Sequence, residues 1–160
     1  WTFPDTQISL LDIDPAALAL AEENRQLHQL DNVALQLGDL LAPLQGQKAD
    51  IILANPPYVD ATDMASLPAE YHHEPRLALA AGDDGLDLVH RLLVQAADIL
   101  TPNGLLILEV GNSWLALERA YPDQVFIWLT PEVGGHGLCV LYGSDLIAMK
   151  HRAEEWVQQL

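Results

Sequence analysis

The stretch Lys48-Ala49-Asp50-Ile51-Ile52-Leu53-Ala54-Asn55-Pro56-Pro57-Tyr58 decides how this chain folds. Ile51 to Ala54 is a continuous apolar run, which fits a strand buried on both faces of a parallel sheet. It reads as the central strand. Towards the N-terminus, Val33 to Leu37 alternates apolar with polar residues as a strand does, and Ile8 to Leu11 is a further short strand. Between them Asp14 suits an N-cap and Pro15 the first helical position. The helix then runs from Pro15 to about His28, with Leu20, Asn24 and Leu27 on one side and Glu22, Glu23 and Arg25 nearer solvent. Towards the C-terminus, Leu86, Val89, Leu93, Ala96 and Leu100 recur at helical spacing, and Pro102 and Gly104 end that helix. Leu105 to Val110 is another buried strand, followed by a short helical turn from Trp114 to Ala120. Val125 to Leu129 and Leu138 to Tyr142 pair as antiparallel strands, joined through Gly134, Gly135, His136 and Gly137. Ser144 to Gln159 closes the chain as a helix.

This order predicts an α/β fold, an open sheet with helices on its faces and an antiparallel final strand. Ligands in such sheets sit beyond the carboxyl ends of the parallel strands. Asp12, Asp39 and Asn55 fall just past the ends of successive strands and should line one crevice. Residues 59–84 are irregular, rich in Pro, Ala, Glu and His, and long enough to be a functional loop covering a site.

Bulk properties narrow the function. At 160 residues and 50% hydrophobic, the chain has the length and composition of one domain with a single core. A net charge of −16 repels phosphate backbones and suits a basic protein partner better than naked nucleic acid, so direct DNA binding is not expected. There is neither a long apolar run nor a basic-then-apolar start, which speaks against a membrane or export route and for the cytoplasm. The lone Cys139, between Leu138 and Val140, reads as a small buried side chain within a strand. The scattered tryptophans suit packing rather than a base-stacking platform. Beginning at Trp1, in the run-up to a strand and without an initiator methionine, the chain reads as a fragment.

The chemistry centres on Asn55 to Tyr58. Two consecutive prolines remove two backbone donors and leave carbonyls as acceptors directly after a buried strand. The Asn55 side-chain oxygen and the Pro56 carbonyl can each take one hydrogen of a planar amino group, with the Tyr58 ring packed against it. Asp12 has two readings, a carboxylate that accepts from ribose hydroxyls or a second solvated acid favoured by the helix dipole. Asp39 and Leu40 stand where an adenine ring would lie, the first as an acceptor and the second as an apolar face. His72, His73 and Glu74 do not make a metal site, because adjacent histidines point apart in extended chain and no second ligand cluster exists, so no metal is expected. His136 reads as a turn residue.

Asn-Pro-Pro-Tyr after a buried strand resembles the motif of methyltransferases that act on planar conjugated nitrogens, of adenine in DNA or glutamine in proteins. Tyr71, His72, His73, Glu74, Pro75, Ala78, Leu79 and then Gly82 to Gly85 resemble the loop that follows this motif in the HemK-type protein glutamine methyltransferases. Val59, Asp60, Ala61, Asp63, Met64, Leu67, Pro68, Glu70 and Glu109 to Ser113 look most like its PrmB branch. The resemblance implies a class I, Rossmann-like S-adenosylmethionine-dependent fold that yields S-adenosyl-L-homocysteine. The implied substrate is a glutamine side-chain amide of the ribosomal large-subunit protein L-three. By matching position, Asn55, Pro56 and Tyr58 would be catalytic and Asp12, Asp39, Leu40 and Asn55 would bind the cofactor. Asn55 to Tyr58, with Glu74 and Pro75 as supports, would hold the glutamine. The family's first strand and glycine-rich loop precede Asp12 and are absent, as is its N-terminal substrate-recognition domain. Residues 1–160 would therefore be the C-terminal part of a catalytic domain, inactive alone. Two alternatives stand beside this: an adenine methyltransferase of nucleic acid, and a folded module whose role is interaction only.

Overall fold

The computed structural model describes residues 5–58, 84–132 and 135–160, and the chain divides into two compact units, Trp1–Gln45 and Gly46–Leu160. The first unit is a strand, helix, strand crossover. β1 (Ile8–Asp12) and β2 (Val33–Leu37) pair in parallel, from Ile8 opposite Val33 to Asp12 opposite Leu37, and α1 (Pro15–Leu27) connects them. Asp14 caps α1 as its sequence requires: its backbone is extended and its carboxylate accepts from the Ala16 N–H at 2.8 Å, with Pro15 starting the helix.

The face of α1 differs from expectation. Leu20 and Leu27 are 60% and 75% exposed and Asn24 is exposed as well, while the half-buried stripe is Leu18, Ala21, Glu22 and Arg25. Glu22 and Arg25 can lie on that stripe because their charged ends satisfy each other. Arg25 Nε and Nη2 donate to the Glu22 carboxylate at 2.7 and 2.9 Å, so the aliphatic stems cover surface without stranding a charge. Only Leu41 and Leu44 are buried among the described residues of this unit.

The second unit holds the main core. β3 (Ala49–Ala54) pairs in parallel with β4 (Leu100–Glu109), β4 pairs antiparallel with β6 (Leu138–Tyr142), and β6 pairs antiparallel with β5 (Ile127–Leu129), giving the order β3-β4-β6-β5. α2 (Asp87–Ile99), α3 (Trp114–Ala120) and α4 (Gly143–Val157) complete it, with α2 against α4 and both against β4. The antiparallel end of the sheet is as expected. Leu86, Val89, Leu93, Ala96 and Leu100 are all buried, as their spacing predicts.

Three expectations need correction here. β3 is an edge strand of this sheet and is buried on one face only: Ile52 is 6% exposed, but Ile51 and Leu53 are 59% and 74% exposed. The cause is the pleat. The cross-strand row Ile52, Leu106 and Leu141 faces the helices, as do Leu108 and Cys139, whereas Leu53, Ile107, Val140 and Ile127 form the opposite, more open row. Pro102 and Gly104 lie within β4 instead of a loop, because the chain passes from α2 straight into β4 at Leu100 and the pairing register with β3 shifts between Ala49 and Ile51. β5 is shorter than predicted, leaving Val125 82% exposed outside it.

Two polar residues are buried among those described, His90 and Ser113. His90 on α2 is 2% exposed; its Nδ1 is 2.8 Å from the Tyr121 hydroxyl and its ring stacks on Trp156 of α4 at 5.2 Å. The Arg152 guanidinium covers the same indole, 5.1 Å from its centroid. Trp128 stacks on Phe126 and meets Trp114 edge-on, so these tryptophans pack as expected.

Candidate active site

Both parallel ladders end in the residues singled out from the sequence. In the first unit the ladder continues one step past the strands, the Gly38 N–H donating to the Asp12 carbonyl at 3.0 Å. Gly38 leaves room for the Pro43 ring, which a Cβ there would strike, and this lets the chain fold back at once. Asp39 and Leu40 follow at the turn, both half-buried, with the Asp39 carbonyl accepting from the Ala42 N–H at 3.1 Å. Leu40 has φ +50°, a left-handed backbone that a leucine adopts only at a cost, and such strain gathers at ligand sites. Asp12 is exposed, yet its carboxylate is engaged. Its Oδ1 accepts from the Asp14 N–H at 2.8 Å, which fixes the carboxylate beside the start of α1. One carboxylate offers about four acceptor positions, so this bond orients Asp12 without exhausting it.

In the second unit Asn55 leaves the carboxyl end of β3 exposed, Pro56 turns into the protein and is buried, and Pro57 and Tyr58 are half-buried. Ala54 stands opposite Leu108, so β3 and β4 release Asn55 and Glu109 side by side. The Tyr58 hydroxyl donates to Glu109 Oε1 at 3.2 Å, and the Ser113 hydroxyl donates to the Tyr58 carbonyl at 3.1 Å. Sequence reasoning noted Glu109 and Ser113 only as points of resemblance and assigned them no part in the site. Nearby, His136 is exposed, with Nε2 2.6 Å from Asn112 Oδ1, so its turn position also ties the β5–β6 connection to the end of β4. Gly134, Glu74, Pro75, His72 and His73 lie outside the described residues.

What this arrangement can do follows from its donors and acceptors. The β3 edge presents an amide side chain, a proline carbonyl and an aromatic ring, a set suited to a planar group with two N–H donors. The β1–β2 edge presents carboxylates beside an apolar side chain, a set suited to ribose hydroxyls and a base.

Comparison with known proteins bears on the fold. Residues 2–70 match the family profile "Methyltransferase small domain". The solved ribosomal protein L11 methylase of Lactobacillus delbrueckii subsp. bulgaricus superposes with a TM-score of 0.53 at 22% identity, over 84% of this chain and 56% of that one. The fold is that of a class I methyltransferase. Two curated relatives of this methyltransferase fold bear the name ribosomal protein uL3 glutamine methyltransferase. That of Francisella tularensis subsp. tularensis (strain SCHU S4 / Schu 4) is 47% identical over 98% of this chain, and that of Burkholderia pseudomallei (strain K96243) is 41% identical over 92%. The chain spans about half the length of these relatives, 50% in each case. Among the described residues, no helix is long and apolar enough to cross a membrane.

Proposed function

We propose that the protein transfers a methyl group from S-adenosylmethionine to the side-chain amide nitrogen of a glutamine in a ribosomal protein, leaving S-adenosyl-L-homocysteine. The observation that carries this is Asn55 to Tyr58, issuing from the carboxyl end of β3 with the Tyr58 ring held by Glu109. The relatives' names point to uL3, ribosomal large-subunit protein L-three, as the substrate. The net charge of −16 favours a basic ribosomal protein over DNA, and a ribosomal substrate places the reaction in the cytoplasm.

In this reading Asp12 accepts from the ribose hydroxyls and Asp39 and Leu40 border the adenine. S-adenosylmethionine supplies the electrophilic methyl when bound. The protein supplies orientation. An amide nitrogen is a poor nucleophile because its lone pair is delocalised, so the Asn55 oxygen and the Pro56 carbonyl bind its two hydrogens and aim it. Pro57 shapes the turn, and the Tyr58 ring packs on the amide plane and steadies the positive charge nearby. Glu74 and Pro75 are assigned to the same pocket as supports. No general base is needed before transfer, since the nitrogen becomes acidic only once methylated and sheds its proton to water.

The test is incubation of the full-length protein, as encoded, with labelled S-adenosylmethionine and purified uL3. Label recovered as methylglutamine is expected. Label found on nucleic acid instead, or absent from glutamine, overturns the proposal.

A further inference from the structure

Three restraints from one short segment converge on Tyr58. Glu109, the last residue of β4, accepts from the Tyr58 hydroxyl at 3.2 Å. Ser113, 5% exposed, donates to the Tyr58 carbonyl at 3.1 Å. Gly111, with φ +48°, lies flat against the Tyr58 ring, where any Cβ would strike Cε2. The segment is itself held from behind. The Val110 N–H donates to the Gly137 carbonyl at 2.8 Å, and Gly137 approaches Gly111 so closely that a Cβ there would strike the Gly111 carbonyl oxygen. Gly85 closes the remaining side, where a Cβ would meet both the Ser113 hydroxyl and the Tyr58 carbonyl. A residue that only filled space would not require a bond at its hydroxyl, another at its backbone carbonyl and glycines around it.

We propose that Glu109 is a positioning residue of the acceptor site, acting through the Tyr58 hydroxyl, with Gly111 and Ser113 completing the seat of the ring. The inference rests on the glutamine methyltransferase reading and adds a residue to it. A tyrosine ring has one soft torsion about its long axis and one about Cα–Cβ; the bond at the hydroxyl fixes where the ring's far end lies, and the close approach of Gly111 to the ring limits rotation about the long axis. At 3.2 Å the bond is a little longer than the usual O–H···O distance of about 2.5–3.0 Å. The acceptor is a carboxylate, and that has a second effect. A phenol donating to a negative oxygen is polarised towards its ring, which makes the ring a better neighbour for the positive charge that moves from sulfur to nitrogen during transfer. Glu109 touches neither substrate nor cofactor in this scheme, so its removal should slow turnover more than it weakens binding.

The experiment uses the full-length protein and the uL3 methylation assay, with Tyr58→Phe, Glu109→Leu, their double variant and Glu109→Gln. Tyr58→Phe removes only the hydroxyl donor, and Glu109→Leu removes only its acceptor. Each should lower kcat on the order of tenfold with KM for S-adenosylmethionine changed less than about twofold, the scale expected for misplacing a reacting group. The double variant should be no slower than either single variant, because both break one interaction. Glu109→Gln keeps an acceptor oxygen and should recover most of the loss. A multiplicative double variant, an equal loss in Gln and Leu, or an undiminished kcat in Tyr58→Phe overturns the inference. Tyr58→Phe carries the test even where Glu109→Leu does not fold. A wild-type protein that methylates no glutamine overturns the underlying reading instead, which is a different result from an active wild type with indifferent variants.

Discussion

At the scale of single residues, the site depends on side chains that are oriented and not merely present. Asn55 is exposed at the end of β3, so removing its amide disturbs little packing. On the proposed reading, in which its bonds matter most at the reacting centre, Asn55→Ala in the full-length protein should therefore abolish transfer while costing S-adenosylmethionine affinity only modestly. Steady-state kinetics beside equilibrium cofactor binding would check this, and unchanged turnover would refute the role. Gly111 makes the opposite kind of prediction. It combines φ +48° with a ring pressed against its Cα, so Gly111→Ala adds both backbone strain and a clash with Tyr58. A stability loss of about 1–3 kcal/mol in urea unfolding is expected, together with slower turnover. An unaltered midpoint would mean that the ring is not seated there. The Asp14 cap and the Asn55 to Tyr58 turn were legible in the sequence because each is a local pattern of a few neighbouring residues. Glu109 and Ser113 were not, since they are 51 and 55 positions from Tyr58 and only the β3–β4 pairing brings them to it.

At the scale of elements, α2 and α4 are joined through a histidine that must stay neutral. Burial lowers the pKa of His90 to about 4 from an ordinary 6.5, only partly opposed by the Asp84 carboxylate. The sign follows from proton binding. The folded protein holds fewer protons at this site than the unfolded chain, so stability is complete above about pH 6.5 and is lost as pH falls from there towards 4. That difference amounts to about 3 kcal/mol for this group. Urea unfolding at pH 7 and pH 4.5 should show the loss, and His90→Gln should remove the larger part of it. An equally steep decline in the variant would assign the acid sensitivity to carboxylates elsewhere. The elements also show where hydrophobic pattern misleads. Ile51 to Ala54 is apolar throughout, yet only Ile52 is buried, because an apolar run records what a strand can bury and not how many layers cover it. In α1 the leucines drew attention to the wrong side, since paired Glu22 and Arg25 stems cover surface in their place.

At the scale of the whole chain, the core is unevenly shared. Apart from Leu41 and Leu44, every buried apolar residue among those described belongs to Gly46–Leu160, and this unit carries most of the stabilising burial. The α/β class and the antiparallel final pair were readable from the order of the elements, because connection lengths and reversing turns constrain topology strongly. The core of the second unit also contains the only cysteine of the sequence. Cys139 on β6 is 0% exposed, and burial pushes its thiol up to about 12, so in the folded state it is both shielded and protonated. It is thus a built-in clock. A thiol reagent added to the native protein should modify Cys139 only when β6 opens, and the labelling rate should follow the unfolding equilibrium as urea is raised. Prompt labelling without denaturant would reveal opening of β6 well below the global transition. Because nothing has to be introduced to make the measurement, one stopped-time alkylation read by mass at Cys139 would rank the stability of variants such as Gly111→Ala and His90→Gln in this chain.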